Sequence, residues 1–175
     1  SGNVLRYDKG VPDRFRDAGK GLAGAGLLQL AHQVLALTLV QPGEDRVRRL
    51  LTDVLPALDA VHAMGYLHRD LKPANLYCRS DGRTILIDFG AARQALSQRS
   101  KNITSVFTVG YSPIEQYLVE SKGYGPWTDI YALGAVLYQC VTGRQPGEAP
   151  ARVLDDPLKP AEVVAAGRYS SALLQ

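Results

Sequence analysis

The chain has 175 residues, long enough for one domain or for one large lobe of something bigger. Hydrophobic residues make up 46%, charged residues 21%, and the net charge is +3, a balance that excludes a disordered chain. The charge is not concentrated in runs, so composition does not point to nucleic acid. The two cysteines, Cys78 and Cys140, exclude a disulfide scaffold and have no metal-ligand spacing. They read as reduced, buried side chains of a cytoplasmic-type compartment.

In chain order, residues 1–21 are mixed in charge and broken by Gly10, Pro12, Gly19 and Gly21, which predicts loop. No signal peptide is recognisable there. Leu22 to Val40 holds 13 apolar residues among 19, but Gln29, His32 and Gln33 lie near its middle. Such polar groups are costly in lipid, so the stretch reads as a buried or amphipathic helix with a core histidine, and no membrane span is expected in the chain. After Gln41-Pro42-Gly43, the apolar positions Val47, Leu50, Leu51, Val54, Leu55, Leu58, Val61 and Met64 repeat at helical spacing. Glu44 and Asp45 suit the first turn of this helix, Pro56 should bend it, and Gly65 stops it.

Two strand-like runs follow, Asn75 to Arg79 and Thr84 to Ile87, joined by Ser80-Asp81-Gly82 as a hairpin. Residues 91–112, rich in Ser, Thr and Gln, read as a long exposed loop. Trp127 to Val141 predicts a second apolar helix closed by Gly143 and Pro146, and the alanine-rich tail after Pro160 looks helical.

The chemistry concentrates in His68-Arg69-Asp70-Leu71-Lys72-Pro73-Ala74-Asn75, followed by Asp88-Phe89-Gly90. Asp70, Asn75 and Asp88 are oxygen-bearing side chains placed around one hairpin, so a fold can gather them. Hard oxygen donors of this kind suit Mg²⁺ together with phosphate. Lys72 would be a cation beside a phosphoryl group, and Asp70 could receive a proton from an attacking hydroxyl.

This set resembles the protein kinase superfamily, and within it the bacterial-type serine/threonine kinases. All eight positions from His68 to Asn75 fit the family's H-R-D-L-x-x-x-N pattern, and Asp88-Phe89-Gly90 is its D-F-G. Asp88 follows Asn75 by 13 positions, room for one hairpin. Gly110 to Tyr117 looks like the bacterial form of the segment that ends the activation loop, reading Pro113-Ile114-Glu115 where the family has A-P-E. Asp129 to Gly134 resembles the start of the central buried helix, whose aspartate braces the catalytic loop.

The resemblance implies an α+β fold, mainly α: a kinase-like C-terminal lobe over residues 44–175 with a small hairpin beside the catalytic loop. It implies transfer of the γ-phosphoryl group of ATP to Ser or Thr hydroxyls of a protein substrate, with ATP and Mg²⁺ as cofactors. Asp70 is then the base, Lys72 steadies the phosphoryl group, and Asn75 and Asp88 hold Mg²⁺. Phe89 and Gly90 set the placement of Asp88, and His68 packs beneath the loop. Arg69 would meet a phosphorylated activation-loop residue, with Thr104 and Ser105 the foremost acceptors and Thr108 a substrate-positioning residue. Asp129 is expected to accept hydrogen bonds from the His68–Arg69 backbone.

Residues 1–43 remain unassigned. They contain no Gly-rich phosphate loop, since Gly21, Gly24 and Gly26 fall in the wrong order, and Lys20 has no Ser or Thr after it. The late arginine that pairs with the A-P-E glutamate is also not evident, leaving Arg144 as a substitute partner for Glu115. A fragment of a longer kinase is the simplest reading, with any membrane anchor or dimer contact lying in the parent protein. The alternative is a catalytically inactive kinase-like binding module.

Overall fold

The computed structural model describes residues 41–89, 93–94, 108–118 and 123–175. The stretch Leu22–Val40, with His32, lies outside them, as do Gly90, Thr104 and Ser105. Helix α1 spans Glu44–Ala63, and Pro56 lies inside it. Val47, Leu50, Val54, Leu58 and Val61 are buried along one face, as their spacing predicts. Leu55, expected on that face, is instead exposed. Gly65 ends the helix in a left-handed conformation at φ 75, its N–H donating to the His62 carbonyl at 2.8 Å.

The chain then runs through β1, Tyr66–Leu67, into the loop His68–Asn75, which closes on a single 3-10 turn at Pro73–Asn75. Strands β2, Leu76–Cys78, and β3, Thr84–Leu86, pair antiparallel with Leu76 opposite Leu86 and Cys78 opposite Thr84. Hydrogen bonds from Arg79 N to Arg83 O and from Ile87 N to Asn75 O extend the ladder at both ends, matching the predicted runs. Gly82 turns the hairpin at φ 86, a conformation that L side chains rarely adopt. A second small sheet pairs β1 with β4, Arg93–Gln94, within the stretch expected to be loop.

Helix α2 is a single turn, Ile114–Tyr117, and α3 spans Pro126–Thr142 before Gly143 caps it at φ 72. Tyr111 and Ser112 are buried, so the end of the 91–112 stretch is a packed turn rather than the exposed loop expected of its polar composition. The tail forms only single helical turns, α4 at Ala161–Val164 and α5 at Ser171–Leu174. Gly167 and the surrounding turn interrupt the helix that alanine content suggests.

One core joins these parts. Leu50, Val54 and Leu58 of α1 meet Leu76, Cys78 and Leu86 of the hairpin and Ala132, Leu133, Val136 and Cys140 of α3. Full burial of each large aliphatic side chain contributes about 1.5–3 kcal/mol, so the three elements hold one another and form no stable unit alone. A second cluster of Val47, Val141 and Ala165 ties the tail to the far ends of both helices. Both cysteines are buried and unbridged. Among the described residues no helix is long and apolar enough to cross a membrane.

Candidate active site

The loop His68–Asn75 is stretched between β1 and β2, so both of its ends are fixed by core strands. Its backbone is nonetheless unusual: Arg69 adopts φ 64, and Asp88, just beyond β3, adopts φ 61. Non-glycine residues hold such angles only where their surroundings over-determine them. For Arg69 the main restraint is Asp129. This carboxylate, fully buried in the first turn of α3, accepts the His68 N–H at 2.9 Å and the Arg69 N–H at 2.8 Å. The expected brace is present.

His68 is buried beneath the loop. Its Nε2 donates to the Ile87 carbonyl at 3.1 Å, its Nδ1 accepts from the Asp70 N–H at 3.4 Å, and its ring meets the edge of Phe89 at 4.9 Å. Burial pushes its pKa below the ordinary value, and this donor–acceptor pattern suits the neutral imidazole. The histidine thereby joins the loop to the hairpin exit, one residue before Asp88.

Three side chains converge on Asp70. The Lys72 ammonium lies 2.8 Å from Oδ2, and the Thr108 hydroxyl donates to Oδ1 at 2.9 Å. The Asn75 amide donates to Oδ2 at 3.0 Å and to the Asp70 backbone carbonyl at 2.6 Å. Lys72 also reaches the Thr108 hydroxyl at 3.4 Å. One carboxylate is thus oriented by an amide, a cation and a hydroxyl from three chain positions.

The donors at hand for a divalent cation are few. The Asn75 nitrogen is committed to Asp70, which leaves the amide oxygen as its cation donor, and Asp88 supplies an exposed carboxylate. Among the described residues no cluster of three His, Cys, Asp or Glu side chains could hold a metal. Such a thin donor set fits Mg²⁺, which takes few protein oxygens and completes its shell with water and phosphate.

Arg69 stacks its guanidinium 4.0 Å from the Tyr124 ring centroid, while its Nε is buried without a hydrogen-bond partner among the described residues. Glu115 does not turn to Arg144, which is exposed; its Oε1 accepts instead from the Thr128 hydroxyl at 2.8 Å. Thr128 is buried at the start of α3 beside the segment, so a neutral donor meets the carboxylate where an arginine was expected.

Two contacts escaped the sequence reading. His62 Nε2 lies 2.7 Å from Asp129 Oδ2, and Gln116 Nε2 donates to the Arg69 carbonyl at 2.8 Å. A lone histidine near a helix end carries no signal in sequence. Gln116 stands inside the segment compared with the kinase pattern, next to Glu115, and its type was the only hint.

Comparison with known proteins shows the family. A model of the protein kinase domain matches residues 29–156, well over half of the chain and starting ahead of residue 44, where the motif resemblance begins. Serine/threonine-protein kinase F of Synechocystis is 38% identical over 104 residues, covering 58% of this chain and 21% of that protein. Serine/threonine-protein kinase PknA of Nostoc is 39% identical over 113 residues, covering 60% of this chain and 19% of that protein. The chain therefore spans about a fifth of the length of these curated relatives. The solved structure titled PpkA-294 apo form superposes with a TM-score of 0.66 at 36% identity, over 82% of this chain and 50% of that one. With the loop, the hairpin and the helix brace in the order and contacts described above, the chain belongs to the protein kinase domain family.

Proposed function

We propose that the chain is the C-terminal lobe, residues 44–175, of a serine/threonine protein kinase that moves the γ-phosphoryl group of ATP to protein Ser or Thr hydroxyls. The observation that carries this reading is the convergence of Asn75, Lys72 and Thr108 on the Asp70 carboxylate. A surface aspartate does not need three oriented partners, whereas a group that must aim at one hydroxyl does.

In this reading Asp70 orients the acceptor hydroxyl and takes its proton, and Thr108 keeps that hydroxyl beside the carboxylate. Lys72 offsets negative charge on the transferring phosphoryl oxygens. Asn75 and Asp88 would hold Mg²⁺, which when bound neutralises the ATP phosphates. Arg69, with a buried Nε lacking a partner among the described residues, is suited to a phosphorylated Thr104 or Ser105. An inactive binding module would have no use for the intact set of Asp70, Lys72, Asn75 and Asp88.

The test is phosphoryl transfer by the full-length protein carrying this chain, with Mg·ATP and a generic Ser/Thr protein substrate. Phosphoserine or phosphothreonine should form. Absence of transfer, or transfer unchanged by Asp70→Asn, overturns the proposal.

A further inference from the structure

The Arg69 backbone is the weak point of the loop, because its left-handed conformation at φ 64 has no glycine to accommodate it. Two successive peptides meet there. The first, His68–Arg69, is held through its N–H by Asp129. The second, Arg69–Asp70, is held at its carbonyl oxygen by Gln116 Nε2 at 2.8 Å and at its N–H by His68 Nδ1 at 3.4 Å. Asp70 therefore leaves a peptide plane gripped on both edges, and one grip comes from α2, outside the loop.

Gln116 is 7% exposed on that single helical turn. For packing alone an apolar side chain would serve better, since burying a primary amide is unfavourable unless its hydrogen bonds are made. The same segment supplies Thr108, whose hydroxyl donates to Asp70 Oδ1 and whose own N–H is taken by the buried Ser112 hydroxyl at 3.1 Å. Residues 108–117 thus touch Asp70 at its carboxylate and, through Gln116, at its backbone.

The geometry points to Gln116 as a positioning residue that aims the Asp70 carboxylate by holding the Arg69–Asp70 peptide, and so makes the aim depend on the seating of residues 108–117. This rests on the reading of Asp70 as the hydroxyl-orienting group. The amide touches neither nucleotide-binding residues nor the acceptor, so its loss belongs in kcat.

Two variants of the full-length protein test this. Gln116→Met keeps length and bulk but removes the donor. It should lower kcat on the order of 10- to 100-fold, as a small misplacement of a reacting group does, with melting temperature nearly unchanged. KM for Mg·ATP should stay within about twofold. Gln116→Glu should be equally slow at alkaline pH and regain activity relative to wild type as the pH falls, because a protonated carboxyl again has a donor for the Arg69 carbonyl. An unchanged kcat in Gln116→Met, or a joint collapse of kcat, KM and melting temperature, overturns the assignment. Should the wild type transfer no phosphate, the functional reading fails separately. The Arg69 carbonyl ¹³C resonance then decides: it should shift in Gln116→Met, and an unshifted resonance refutes the clamp.

Discussion

His62 Nε2 and Asp129 Oδ2 stand 2.7 Å apart, joining the last turn of α1 to the first turn of α3 across 67 residues of sequence. With the His68 and Arg69 amides, that contact gives one fully buried carboxylate three polar partners. A carboxylate in the core is tolerated only because its lone pairs are occupied, and each donor in turn depends on it.

Removing Asp129 should therefore unfold more than a helix start. Asp129→Ala strands two backbone donors and a histidine out of water, which predicts a loss of about 3–5 kcal/mol in urea denaturation. His62→Ala leaves the two backbone bonds in place and should cost clearly less. Equal losses in the two variants would contradict the brace.

Asp70 and Asp88 should separate in kinetics. Asp70→Asn is expected to lower kcat of the full-length protein by roughly 10²–10⁴-fold with Mg·ATP binding nearly intact, because the group acts on the acceptor hydroxyl. Asp88→Ala removes an oxygen that the bound nucleotide complex would already use, so it should weaken Mg·ATP binding itself. Nucleotide titration alongside steady-state kinetics distinguishes the two, and a reversed pattern would exchange their roles.

The tail is fastened by an acid-sensitive tie. Glu44 accepts the Ser170 N–H at 2.7 Å and the Ser170 hydroxyl at 2.7 Å, and it pairs with Arg48. These contacts, the Ser170 N–H foremost, lower its pKa from 4.5 to about 2. A carboxylate depressed in the folded state adds stability above its unfolded value and loses it as the pH falls through the folded one. Glu44→Gln should thus melt below wild type near neutral pH, and the gap should close between pH 4.5 and about 2. A gap independent of pH in calorimetry would rule this out.

Cys140 should resist modification. Burial raises its thiol to about 12, with Cys78 nearby adding to the shift. Because the thiolate is the reactive species, iodoacetamide at mildly alkaline pH should label neither Cys140 nor the buried Cys78 until the protein is unfolded. Mass spectrometry that finds Cys140 alkylated in the native state would show that α3 opens locally.

Much of the fold was legible because local chemistry and tertiary need coincide. The stripe from Val47 to Val61 has one apolar face, and Glu44 and Gly65 mark its ends, so the helix follows from spacing and capping alone. The hairpin follows from alternation around Asp81-Gly82, and the loop residues follow from the His68–Asn75 pattern. What failed had no local signature. Leu55 fits the helical stripe by spacing, yet α3 and the hairpin cover only part of that face. The buried turn at Tyr111 and Ser112 is polar in composition and packs only because residues distant in sequence close over it.

The sequence by itself carried the two long helices, the hairpin and the loop pattern, since periodicity, turn residues and the spacing of Asp70, Lys72, Asn75 and Asp88 are properties of the chain read in one dimension. Only the tertiary structure decided the partners: Thr128 rather than Arg144 for Glu115, His62 for Asp129, Gln116 for the Arg69 carbonyl. Hydrogen bonds between residues some thirteen to sixty-seven apart depend on distances of tenths of an ångström, and those are set by how α1, α3 and the hairpin pack together.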